Sequence, residues 1–395
     1  MANDTTFVLA FEPVREPRHK RNLAYPLIDV ITLAVYGTLC GKRSFTEMEY
    51  FLKLREGQLT EVFGLANGVP SHDVFSRVFR LVDPEQFMRC FVDWLREAYL
   101  LVTGKHLALD GKAMRAAAEK SGGGITPYVI SAYLCDVGIT VAQTGIGEKK
   151  NEISELPRLI MMLDLEGCDV TIDAIGCQVE IMDLIKARGG DFCLQVKANQ
   201  PTAMEGVAER FDDIDKKEET GRPHADVDAY EVSEKGHGRV ETRSYTVSTC
   251  EGDARDMLPD SWVHAVCVGR CVHVCTRAGK TTAETHYYVL SRQVSARELA
   301  RLSRSHWQVE NCLHWVLDVI FGEDTLTNRE DASISNLSAL RKVAFNMTKM
   351  LPEAEGLTGH NREDLFTIRP DLAARLFYEI IPSEALKGKG SRDNR

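Results

Sequence analysis

Val170-Thr-Ile-Asp173-Ala-Ile175 is a continuous strand-forming run with one acid set inside it. It sits in the middle of a longer alternation. Upstream, Leu107-Ala-Leu-Asp110 is a short apolar strand ending in Asp-Gly, and Tyr128–Cys135 and Ile139–Thr144 are two strands joined by the turn Asp136-Val-Gly138. Glu155–Leu165 has helical spacing, as does Gln178–Arg188, and Phe192-Cys-Leu-Gln-Val196 returns to strand. Three strands, helix, strand, helix, strand predicts a hairpin followed by right-handed crossovers. The fold class is therefore α/β, a mixed sheet with helices on its faces. First and fourth strands are neighbours in such a sheet, so Asp110 and Asp173 can converge.

Working outward, residues 1–25 are polar and proline-bearing and read as an extended basic arm, with Arg15, Arg18, Lys20 and Arg21. Residues 26–101 read as a small all-helical domain. Ser44-Phe-Thr-Glu47 has the form of a capping box, and Pro70-Ser-His-Asp73 and Asp83-Pro-Glu85 open two further helices. Residues 102–199 form the first part of the α/β core. Residues 200–291 read as a β-rich insertion with strands around Arg239–Val247, Trp262–Thr276 and Thr285–Leu290; the acidic run within Glu205–Lys235 reads as a solvated loop. Residues 292–350 complete the core, with helices from Ala296 through Ile320 and Ala332 to Met350, and 351–395 are left as a C-terminal tail.

At 395 residues, with 44% hydrophobic and 27% charged side chains, the chain has the balance of a folded protein of two or three domains. No stretch reaches the ~20 apolar residues of a membrane span, and the N-terminus lacks the apolar segment of a signal peptide. A cytoplasmic protein is expected. The net charge of −10 argues against a dedicated nucleic-acid coat protein, though not against an enzyme with locally concentrated basic groups. Eleven cysteines without CxxC pairs read as reduced thiols. Cys267, Cys271 and Cys275 fall on one face of a strand at four-residue steps, ~13 Å apart at ~3.3 Å per residue, too far to share a zinc.

Three acids carry the chemistry. Asp110 ends a strand, where a plain Asp-Gly turn is the alternative. Asp173 lies inside an apolar strand, where an unpartnered carboxylate is costly; a buried salt bridge is the alternative to a metal. Glu310, in Ser305-His-Trp-Gln-Val-Glu-Asn-Cys-Leu-His-Trp315, aligns on a helix with His306, Leu313, His314 and Leu317. Alone, it reads as a solvated helix edge. Three carboxylates together suit hard divalent cations, Mg²⁺ or Mn²⁺, and two such ions ~3.5–4 Å apart support in-line phosphoryl displacement. Asp318 is rotated ~80° from Glu310 by the helical period and is a less natural third ligand; Asp324 is a further competitor.

Several strings extend the comparison: Ala108-Leu-Asp-Gly-Lys112, Glu148-Lys-Lys-Asn-Glu-Ile153, Thr171-Ile-Asp-Ala-Ile-Gly-Cys-Gln178, Val196-Lys-Ala-Asn-Gln200 and His306-Trp-Gln-Val-Glu-Asn-Cys-Leu-His-Trp-Val-Leu-Asp-Val319, continued by Phe321-Gly-Glu-Asp324. Together with Tyr25-Pro-Leu27, Pro70-Ser-His-Asp73 and Arg77-Val-Phe-Arg-Leu-Val-Asp-Pro84 they resemble the bacterial insertion-sequence DDE transposases of the H-repeat-associated, ISAs-type group, over about residues 10–350. The resemblance implies an RNase H-like core, cleavage of element ends, and transfer of 3′-OH strands to target DNA. It implies Asp110, Asp173 and Glu310 as the triad holding two Mg²⁺ or Mn²⁺ ions, terminal repeats and target as double-stranded DNA partners, and a homodimer on DNA. Related hairpin-forming transposases carry Arg four residues before the last acid and Lys seven after. Here those positions are His306 and Leu317, so a DNA hairpin step is not implied.

Lys112, Lys197, Asn199, Gln200, His306 and His314 are candidate DNA contacts beside the acids. Solvated lysines and packed, hydrogen-bonded histidines are the alternatives. Trp307 and Trp315 read as core anchors, with stacking on an extruded base the alternative. Two rival functions stay open: a metal-dependent RNase H-like nuclease without strand transfer, and a transposase-derived DNA-binding protein that no longer cuts.

Overall fold

The computed structural model describes residues 6–19, 23–99, 105–114, 127–146, 152–221, 226–236, 238–251, 253–325 and 330–379. The described residues form nine strands: β1 His106–Ala113, β2 Tyr128–Leu134, β3 Ile139–Ile146, β4 Asp169–Ile172, β5 Asp191–Val196, β6 Val227–Gly236, β7 Arg239–Thr249, β8 Cys267–Arg277 and β9 Lys280–Leu290. They form one mixed sheet in the order β3-β2-β1-β4-β5-β9-β8-β7-β6. β2 and β3 are antiparallel. β1, β4 and β5 run parallel, His106 to Leu109 facing Asp169 to Ile172 and these facing Asp191 to Leu194. The expected succession of three strands, helix, strand, helix and strand is met, with the first and fourth strands adjacent. The chain divides into two compact units, residues 1–102, 110–163 and 309–395 in one, and 103–109 and 164–308 in the other.

The first unit is built on aromatic packing. The helices His72–Leu81 and Pro84–Tyr99 bury Phe75, Phe79, Phe87 and Phe91, and Ser44 caps the helix Phe45–Leu54 with the expected reciprocal Glu47 bond. Residues 1–25 differ from the expected extended arm. Phe7–Phe11 is a helix whose two phenylalanines are buried, Phe7 edge-on to Trp94 at 5.3 Å and Phe11 to Phe87 at 5.1 Å. Two apolar side chains at i and i+4 outweigh the polar count around them. Arg18 is buried too, spent on Glu16 and the Tyr25 carbonyl. Lys20, Arg21 and the basic run Lys387–Arg395 lie outside the described residues.

The tail expectation also changes, since Gly359–Ile368 and Pro370–Tyr378 are helices and Phe366, Leu372, Leu376 and Phe377 are buried. The helix Asp331–Met350 is buried along most of its length and lies on β3. Asn346 fixes that contact by accepting from Thr140 N (3.0 Å) and donating to Thr140 O (2.7 Å).

In the second unit, β9 pairs with β5, so β6–β9 prolong the sheet. A core of Tyr245, Val247, Cys267, Cys271, Leu290, Leu299 and Leu302 packs the helix Ala296–Gln308 onto them. Cys267 and Cys271 share this buried face as free thiols, as the four-residue spacing required. The acidic run is not a loop. Pro201–Glu219 is a helix that buries Val207, Phe211 and Ile214 at helical spacing, and β6 follows. Its acids lie on the outer face, with Asp215 bonded to Arg270 at 2.7 Å. Among the described residues no helix is long and apolar enough to cross a membrane.

Candidate active site

Asp110 is not a turn residue. β1 continues through it to Ala113, and the fully buried Leu107-Ala-Leu109 gives way to partly exposed positions from Asp110 on. Asp110 Oδ2 lies 2.9 Å from His314 Nε2. His314 comes from a π-helical turn, Val309–His314, set between the helices Ala296–Gln308 and Trp315–Val319. A π turn carries i→i+5 bonds and an extra residue, and such turns often mark functional sites. Here it breaks the 3.6-residue register expected for this segment. Glu310 and Asn311 face solvent, whereas Val309, Leu313 and His314 are buried.

Asp173 has a partner other than the buried salt bridge weighed as the alternative to a metal. β4 stops at Ile172, and Asp173 caps the 3₁₀ turn Ala174–Gly176, its carboxylate accepting from Ile175 N at 3.1 Å. It is partly exposed, so the desolvation argument from the sequence loses its premise: the strand ends one residue before the acid. The turn is held from outside. Asn199 Nδ2 donates to the Ala174 carbonyl and Gln200 Nε2 to that of Cys177, both at 2.7 Å. These donors serve the backbone, while Lys197 is exposed. Leu109 and Ile172 are the last registered pair of β1 and β4, and Asp110 and Asp173 are each the next residue along.

Lys112 lies deep, its side chain 11% exposed, bonded to Asp318, 3.0 Å from Glu323 and 3.5 Å from Asp324. His306 Nδ1 is 3.0 Å from Thr171 Oγ1, which also meets His106 Nε2 at 2.8 Å. His306 and His314 are thus both hydrogen-bonded, as the packed alternative held. Trp307 and Trp315 depart from the core-anchor expectation, at 57% and 55% exposed. Trp315 follows the π turn, whose extra residue redirects the later side chains, whereas Trp307 precedes it, on the exposed side of its helix with Gln308.

Sequence reasoning missed Glu323. It is 1% exposed, accepts from Ser338 Oγ at 2.7 Å, and lies 3.6 Å from Lys342 Nζ. Burial alone would raise its carboxyl, but Lys342, Lys112 and the Ser338 bond outweigh that and hold it at about 2. A signal was available, because a lysine at 342 inside a buried helix requires an anionic partner.

Asp110, Asp173 and Glu310 supply the oxygen donors that a hard divalent cation takes, and each is partly or fully exposed. Among the described residues no three His, Cys, Asp or Glu side chains are gathered closely enough to hold an ion.

The order β3-β2-β1-β4-β5, with an antiparallel β2–β3 pair and parallel β1, β4 and β5, defines an RNase H-like α/β core. Residues 103–347 match the family described as transposase DDE domain, and residues 8–95 the one described as DDE_Tnp_1-associated. The chain belongs to the transposase DDE domain family. It is 32% identical over 337 residues to the "H repeat-associated putative transposase YhhI" of Escherichia coli K12, covering 84% of this chain and 86% of the relative. It is 30% identical over 344 residues to the "Putative transposase YncI" of E. coli O157:H7, covering 86% of each. A cryo-EM structure of the piggyBac transposase synaptic complex with hairpin DNA is also similar, with a TM-score of 0.42 at 10% identity over 95% of this chain and 80% of that one.

Proposed function

We propose that this chain is a DNA transposase that cuts the ends of an insertion element and joins the freed 3′-OH strands to target DNA. We assign Asp110, Asp173 and Glu310 as the carboxylates that hold two Mg²⁺ or Mn²⁺ ions. The observation that carries the reading is the parallel pairing of β1 with β4, which ends at Leu109 and Ile172 with an aspartate as the next residue after each, in a member of the transposase DDE domain family. Ions bound there would activate the attacking water or hydroxyl and offset charge on the leaving oxygen.

The remaining work falls to the chain's own groups. His314 orients the Asp110 carboxylate, and Asn199 and Gln200 hold the turn that Asp173 caps. Lys197 offers an exposed charge to a phosphate. Two element ends are processed together, so the working form is a homodimer on double-stranded DNA.

The test is cleavage of a plasmid carrying candidate element ends, with Mg²⁺ and with EDTA, for wild type and Asp173→Ala. Metal-dependent nicks at the ends, absent in the variant, are expected. Nicks at random positions would instead identify a nuclease. DNA binding without cutting, on related ends as well, would identify a retired binder.

A further inference from the structure

Lys112 follows Asp110 by two residues on β1, so the two side chains leave the same face of the strand. Its ammonium meets carboxylates from two separate elements. Asp318 belongs to the helix Trp315–Val319, which directly follows the π turn carrying Glu310; Glu323 and Asp324 belong to the 3₁₀ turn after it. Glu323 then passes the connection to the helix Asp331–Met350 through Ser338 and Lys342, and Ser338 Oγ reaches Gln143 on β3 at 3.2 Å. Burial by itself would lower the Lys112 ammonium; Glu323 and Asp318 more than reverse this and keep it charged. A charge so enclosed is a poor phosphate ligand, since it would have to abandon three acids to meet one.

We infer that Lys112 is a positioning residue, which ties the strand of Asp110 to the segment carrying Glu310 and so fixes how those two carboxylates present themselves to a divalent ion. The inference rests on the proposed assignment of those acids. Removing the ammonium leaves Asp318 and Glu323 without their shared cation and takes away the Lys112 tie between the helix end and β1.

The test uses full-length protein and Mn²⁺ as the probe. Calorimetric titration is run on wild type, Asp110→Asn, Lys112→Met, Lys112→Arg and Asp318→Asn, with thermal unfolding of each variant. Lys112→Met and Asp318→Asn are expected to bind Mn²⁺ at least ~10-fold more weakly, in the range seen when outer-shell partners of metal ligands are lost, and Lys112→Arg to recover part of that loss. Affinity of Lys112→Met for a duplex oligonucleotide in EDTA, and its salt dependence, should stay at wild-type values. Wild-type Mn²⁺ affinity in folded Lys112→Met overturns the inference. So does a salt slope lowered by about one, the mark of a lost phosphate contact. Should Lys112→Met fail to fold, Asp318→Asn decides by the same two readouts. Mn²⁺ binding unchanged in Asp110→Asn would instead defeat the assignment of the acids, separately from Lys112.

Discussion

His314 Nε2 stands 2.9 Å from Asp110 Oδ2, and it does so from the same π-helical turn that presents Glu310. The imidazole is buried, and its Nδ1 has no hydrogen-bond partner among the described residues. Among the described residues this is the ring's one hydrogen bond, and it restrains the Asp110 carboxylate. A buried ring that makes one bond and leaves its other nitrogen unsatisfied is costly to keep. That cost is reasonable where the bond positions an acid with the role proposed for Asp110.

His314→Leu removes this bond and keeps the volume roughly constant. Plasmid cleavage should fall by ~10–100-fold, the usual effect of losing a partner that orients a metal-ligating group. His314→Gln, whose amide can reach the Nε2 position, should recover part of the rate. Equal losses in both variants would show that the ring matters for packing alone.

Gly206 tests the packing of the helix Pro201–Glu219. A Cβ there would lie 1.8 Å from the Met257 carbonyl oxygen, a backbone atom that cannot swing aside. Gly206→Ala should destabilise the protein by ~1–3 kcal/mol through overpacking. Gly57 is the control: it is helical with nothing within 4 Å of the added Cβ, and Gly57→Ala should stabilise by ~0.5–1 kcal/mol. Thermal unfolding of the two variants reads both effects, and a Gly206→Ala protein as stable as wild type would contradict the close approach.

The sheet from β1 to β5 was legible because each strand is a short apolar run bounded by turn residues, a local signal. The helix Pro201–Glu219 was not, because its charge masked the apolar spacing of Val207, Phe211 and Ile214. Net composition says where a segment's outer face lies, not whether it has an inner one. Among the site residues, Asp110 and Asp173 were visible as acids next to apolar strands. The partner of Asp173 was not, since a backbone N–H two residues on leaves no trace in residue type. The π turn escaped for a related reason: one extra residue in a helical run changes every later side chain's direction without altering composition. Trp315, which follows the turn, was misjudged on that account.

Exposure of Trp315 at 55% favours the alternative reading of it as a stacking surface, on the helix that follows the turn of Glu310. Base–aromatic stacking contributes ~1–3 kcal/mol per base, so Trp315→Ala should weaken binding of a single-stranded oligonucleotide by ~5–150-fold. Its thermal stability should stay near that of wild type, because an exposed ring contributes little to the core. Fluorescence anisotropy at fixed salt measures the affinity. An unchanged value would return Trp315 to the status of a solvated side chain.

His106 makes stability pH-dependent. It is 1% exposed on β1, and burial, with smaller contributions from Arg301 and His306, lowers its pKa to about 3. An unfolded histidine titrates near ~6.5, so between those two values the unfolded chain binds the extra proton and the folded chain does not. The stabilisation from the neutral imidazole is thus complete above the unfolded pKa and is lost as pH falls, at up to ~1.4 kcal/mol per pH unit. His106→Gln retains an amide able to bond Thr171 but has nothing to protonate. Unfolding midpoints measured at pH 7, 6 and 5 should fall more steeply for wild type than for the variant. Parallel profiles would mean that the buried imidazole is not the group that loses its place in acid.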